Sequence, residues 1–216
     1  AQYHDEDAIA TQATLVLLAI GSAAGGPYGE EGVAIMIGIG TLLFHGLAYL
    51  RSSGNLASLG IAVSYLWIGL HAISNDWVIF CIEIKPFNDE LLLFLLMFGV
   101  TGINAVIATR FAKAENWFSS AFKAMGLGKP GLWSVSVGLG MIGALLAIAS
   151  NRLETGYALA QLILLLSAFT PSYLVVRGES WQRLQRYALW PAPVLLAILI
   201  LMVRGVIDAP FSEPWS

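Results

Sequence analysis

Two of the three histidines, His45 and His71, stand inside long apolar runs rather than in polar loops. An imidazole in such surroundings loses its water and has to bond another group or a metal, which makes each a candidate site. Thr41 precedes His45 by four residues, so the two share a helical face. Trp67 stands in the same relation to His71, with Tyr65 just before it. That Tyr/Trp/His group could line a ligand site or anchor a helix at the lipid headgroup level. Asn104 and Gln161 are uncharged amides in similarly apolar settings. They are expected either to bond across helices or to line a narrow path for a small solute.

The two histidines are too far apart to share a ligand. Measured from the polar turn Arg51-Ser52-Ser53-Gly54-Asn55, a rise of about 1.5 Å per residue puts His45 about 9 Å and His71 about 24 Å away. One metal ion or one haem cannot take both across the resulting gap of roughly 15 Å, because ligand bonds are about 2 Å long. A cofactor with a single axial ligand, such as a magnesium tetrapyrrole, is permitted, and so is bound lipid.

The stretch GTLLFHG, with Thr41 and His45, resembles the Ser-x-x-x-His element of the alkaline ceramidases and related membrane hydrolases, a seven-helix superfamily. The later VRGVID, with Arg204 and Asp208, is similar to another stretch of such proteins. Membership would imply a zinc site completed by a late His-x-x-x-His pair. No histidine follows His71, so the resemblance implies at most a non-hydrolytic relative without a zinc-activated water.

The elements that must position these residues are transmembrane helices. The chain is 57% hydrophobic and 12% charged, where a soluble chain is about a quarter charged. Its apolar runs approach the ~20 residues that a bilayer core demands. The expected fold class is all-α: a single transmembrane domain over residues 1–216, a polytopic helical bundle of about seven spans. These are 8–24, 33–50, 56–74, 91–109, 132–150, 155–176 and 187–207. The mixed stretch after residue 74 carries Trp77 and Phe80, which suit the headgroup region. The segment 111–126 reads as an amphipathic helix lying in the interface, with Phe111, Phe118, Phe122 and Met125 near one side. Ser136, Gly140 and Ala144 recur every four residues as a ridge for a close-packed helix. Pro171 should kink the sixth span and leave the carbonyl of Ser167 in need of a hydroxyl from Thr170 or Ser172.

Basic residues set the expected orientation, since Lys and Arg near span ends stay on the cytoplasmic side. With the N-terminus cytoplasmic, that side holds Arg51, Arg110, Lys113, Lys123, Lys129, Arg177, Arg183 and Arg186. The other side holds only Lys85, Arg152 and Arg204. The opening AQYHDED has no basic residue, so the first span is expected to be retained rather than cleaved as a signal peptide.

Several chemistries are disfavoured by composition. The formal charge of -3 and the lack of a Lys/Arg cluster argue against nucleic acid. The single cysteine, Cys81, leaves no internal disulfide. The acidic residues Asp76, Glu83, Glu90, Glu154 and Asp208 fall near span ends, which disfavours a proton relay through the membrane. The last span holds no lysine for a retinal Schiff base. The leading expectation is a non-catalytic integral subunit of a larger membrane complex, in a bacterial-type inner or cytoplasmic membrane. It packs against other membrane subunits and holds lipid or a lipophilic cofactor at the level of His45 or His71. The alternatives are a channel or carrier for a small neutral solute, lined by Thr41, His45, Tyr65, Asn104 and Gln161, and a degenerate relative of the ceramidase-like hydrolases.

Overall fold

Turns at the helix ends, several of them capped by polar side chains, separate the spans. The computed structural model describes residues 25–79, 82–180 and 182–183, together with Gln12 and Val16. The expected span at 187–207 and, apart from those two residues, the one at 8–24 lie outside the described residues, as do Phe80, Cys81, Arg204 and Asp208. Helix α1 (Gly25–Leu50) has a non-helical Gly29 near its start, at φ 68, so the membrane-crossing part is Gly29–Leu50. It closes on Ser52, at φ 51, with Ser53 N–H donating to Ala48 O at 3.0 Å, which satisfies a carbonyl that the helix would otherwise leave open. Ser53 also opens α2 (Gly54–Ile73) by accepting from Leu56 N–H. One serine thus ends one span and begins the next.

A short antiparallel pair follows, β1 (Trp77–Ile79) and β2 (Ile82–Ile84), in the register Trp77 to Ile84, Val78 to Glu83 and Ile79 to Ile82. The bundle is therefore not wholly helical as expected. Val78, Ile79, Ile82 and Ile84 are β-branched, in runs too short for a helix. Ser74 fixes the pair to α2, donating from its hydroxyl to Ile84 O and accepting from Trp77 N–H.

Helix α3 (Glu90–Arg110) starts on Asp89, whose carboxylate accepts from Leu92 N–H at 3.0 Å. Among the described residues it packs against α1, α2, α5 (Leu132–Ala149), α6 (Thr155–Ala168) and α7 (Thr170–Val176). Its Leu93, Phe94, Met97, Val100 and Ala108 are buried in the shared core. The expected interfacial helix over 111–126 is shorter than its amphipathic pattern. Phe111 and Ala112 are buried, and only Trp117–Ala124 is helical, as α4. Asn116 takes the cap, accepting from Ser119 N–H at 2.9 Å, and Gly126, at φ 76, stops the far end.

The ridge Ser136, Gly140 and Ala144 on α5 is buried inside the chain itself. A β-carbon on Gly140 would run into the Leu165 side chain of α6, so the glycine lets α6 pack closely. The break at Phe169 between α6 and α7 falls just before Pro171. The hydroxyls expected to help the Ser167 carbonyl are engaged elsewhere: Thr170 donates to Leu166 O and Ser172 bonds Thr109 of α3. Among the described residues five helical spans are long and apolar enough to cross a bilayer, counting α6 and α7 as one. The chain is a helical integral membrane protein.

Candidate functional site

Helix α3 carries Thr101 and Asn104 three residues apart, hence on one face, and both are fully buried. Asn104 joins α1 to α2. The ring nitrogen Nε2 of His45 lies 2.7 Å from Asn104 Oδ1, and Asn104 Nδ2 donates to Ser64 Oγ at 3.1 Å. Ser64 Oγ passes the chain on to Ile61 O at 3.0 Å. Every donor in this series has an acceptor if His45 carries its proton on Nε2, which leaves Nδ1 as a bare lone pair. The opposite arrangement would bury an unpaired N–H and break the Ser64 bond to Ile61, so the Nε2–H tautomer is the one that fits.

Thr101 joins α2 to α6. Its hydroxyl oxygen accepts from Tyr65 at 3.4 Å and from Gln161 Nε2 at 2.8 Å, and Gln161 also reaches Met97 O at 3.4 Å. Five residues beyond Asn104, Thr109 donates to Ala105 O and accepts from Ser172 Oγ at 2.6 Å, tying α7 to the same helix. At about 0.6 kcal/mol per interhelical bond in a membrane, the five links to His45, Ser64, Tyr65, Gln161 and Ser172 sum to about 3 kcal/mol. Three buried atoms make no hydrogen bond among the described residues: His45 Nδ1, Ser136 Oγ and Gln161 Oε1.

The residues read from the sequence are only partly brought together. Asn104, His45, Tyr65 and Gln161 belong to the two links through α3. Thr41 does not pair with His45 although they are four residues apart; its hydroxyl donates to Ile37 O of its own helix at 2.8 Å. Trp67 and His71 meet edge-on at 6.3 Å, while Tyr65 is turned toward α3, so the three do not form one group. Thr101, Ser64 and the Thr109–Ser172 pair were not singled out as site residues. The signal for Thr101 was its place three residues before Asn104.

His45 is tightly seated. A β-carbon on Gly60 would lie 2.8 Å from His45 Cε1 and 2.9 Å from Nδ1, so the bare nitrogen faces the backbone of α2. Axial ligation of a tetrapyrrole by His45 would need the Asn104 bond broken or α2 pushed away. His71 is eleven residues beyond Gly60, about 16 Å along α2. Its Nδ1–H donates to Lys85 O at 2.6 Å and its ring lies 5.5 Å from that of Phe87.

His71 also borders a cavity of about 440 Å³ at that end of the bundle, together with Glu30, Asp76, Lys85, Phe87 and Arg152. Two clamps build its walls. The Glu30 carboxylate accepts from Asn88 N–H and Asn88 Nδ2, each at 2.8 Å, and from Asp89 N–H at 3.1 Å, which fastens α1 to the start of α3. Arg152 donates to Asn88 Oδ1, Asn75 Oδ1 and Ser74 O, which holds the hairpin root to the α5–α6 connection. Among the described residues no three His, Cys, Asp or Glu side chains gather as a metal cluster. Thr41, His45, Asn104 and Gln161 line neither this cavity nor the one at the opposite end.

Comparison with family models, with curated proteins and with solved structures finds no match to this chain.

Proposed function

We propose that this chain is a non-catalytic integral subunit of a membrane complex, a helical scaffold in a bacterial-type inner or cytoplasmic membrane. The observation that supports this reading is where the polar side chains of the spans are turned. Asn104, Thr101 and Thr109 bond five side chains on four neighbouring helices, so these groups serve the bundle rather than a substrate. What remains for partners is the apolar outside, including Met141, Ile142 and Leu145 on α5 and Leu159, Ile163 and Leu166 on α6.

Together with 8–24 and 187–207 the five spans make seven, with the N-terminus cytoplasmic. The end carrying Arg51, Arg110, Lys113, Lys123, Lys129 and Arg177 then faces the cytoplasm, and the end carrying Glu30, Asp76, Asp89 and Glu154 faces out. In a Cys81→Ser background, Lys113→Cys should react with an impermeant thiol reagent only in inverted vesicles, and Glu154→Cys only in intact cells stripped of their outer layers. The opposite labelling removes the orientation. Mild-detergent extraction of the tagged chain followed by mass analysis tests the subunit reading. Stoichiometric membrane proteins that survive a second affinity step support it; elution of the chain alone, at the mass of a monomer, counts against it.

A further inference from the structure

The basic end of the bundle holds a second cavity, of about 580 Å³, lined by Lys113, Lys123 and Lys129 with Glu115, Ser119 and Ser120. Lys113 and Lys123 are exposed and have no acidic partner among the described residues. Lys129 lies 3.9 Å from Glu115, whose side chain is 94% exposed, so water screens that pair and the lining keeps an excess of two positive charges. The polar neighbours are already used: Asn116 caps α4 and Ser119 donates to Pro130 O at 2.7 Å. The three ammonium groups are the part of the lining left to meet a ligand.

The position of the cavity says what kind of ligand. Gly54, the first residue of α2, abuts the backbone of Glu115, which puts this segment level with the ends of α1 and α2. Helix α4 has no buried residue; its Trp117 and Phe118 stack at 4.3 Å, and Trp117, Met125 and Leu127 are exposed. A short helix at a span end with uncovered aromatic and aliphatic side chains is suited to lie at headgroup depth. There the nearest anions are lipid phosphates. We propose that this cavity seats the headgroup phosphate of an anionic phospholipid from the surrounding leaflet, held by Lys113, Lys123 and Lys129.

The test uses the full chain in neutral detergent, titrated with phosphatidylglycerol or phosphatidylcholine and read by native mass spectrometry. Each basic side chain near an anionic surface is worth roughly fivefold, so with an excess of two positive charges phosphatidylglycerol should be retained about 25-fold better than phosphatidylcholine. Lys113→Gln/Lys123→Gln/Lys129→Gln should bring the ratio near one, and Glu115→Gln should raise it. Arg51→Gln, at the same end but outside the cavity, should leave it unchanged. The proposal is overturned by equal retention of the two lipids in the wild type, by an unchanged ratio in the triple variant, or by an equal loss in Arg51→Gln. Displacement of phosphatidylglycerol by millimolar inorganic phosphate also overturns it, since the site would then take a soluble anion.

Discussion

Replacing Asn104 by leucine removes the residue that joins α1, α2 and α3 while keeping a side chain branched at Cγ. Two interhelical bonds go, to His45 at 2.7 Å and to Ser64 at 3.1 Å. At about 0.6 kcal/mol each, their direct loss is about 1.2 kcal/mol. The larger effect is what stays behind. His45 is buried, so its Nε2–H would have no acceptor, and an orphaned buried donor costs about 1–3 kcal/mol. Asn104→Leu should therefore destabilise the bundle by about 2–4 kcal/mol. His45→Leu/Asn104→Leu removes both partners and should cost less than the sum of the single changes, with a coupling of about 1 kcal/mol. Reversible unfolding in mixed detergent micelles, followed by far-UV circular dichroism, measures all four corners of the cycle. A single change within about 0.5 kcal/mol of wild type, together with additive costs, would mean that His45 and Asn104 are not bonded.

Gly60→Ala should destabilise by about 1–3 kcal/mol in the same unfolding assay, because its β-carbon would lie 2.8 Å from the ring of His45, which Asn104 holds in place. Thr101→Val keeps the shape but leaves Tyr65 and Gln161 without their shared acceptor, and a loss of about 1–3 kcal/mol is expected; a neutral result would show that neither bond forms. Arg152→Gln frees the hairpin root, so amides of residues 74–88 should exchange with deuterium several-fold faster while those of α3 keep their rates. Under the scaffold reading, liposomes containing the chain should leak small neutral solutes no faster than empty ones, and His45→Leu should not change that rate.

The spans were legible because apolar length and polar turns speak the same language in a membrane. The expected 56–74 and 132–150 compare with Gly54–Ile73 and Leu132–Ala149, with Ser53 and Asn151 marking ends that the pattern already placed. The inward turning of Asn104 and Gln161 was legible for the same reason, since lipid offers them no partner. Their particular partners were not. Thr41 is four residues before His45, but a threonine in a helix has its own i−4 carbonyl within reach, and Ile37 O won. The link from Asn104 to His45 spans 59 residues of sequence and depends on which helices are neighbours, which hydrophobic patterning does not encode. The hairpin after residue 76 was missed because a few apolar residues fit a strand as well as a helix end. The extent of the interfacial helix was missed because Phe111 and Phe118 share an apolar character but not a burial: one enters the core and the other does not.

Polar side chains within the membrane are spent on one another, with Asn104 and His45 as the clearest pair. Nitrogen-15 NMR of the imidazole of His45 in the bilayer-reconstituted chain tests it most directly. A single neutral Nε2–H tautomer is expected, whose proton exchanges slowly with water and is lost or shifted in Asn104→Leu. A rapidly exchanging ring, or an Nδ1–H tautomer indifferent to Asn104→Leu, would contradict it.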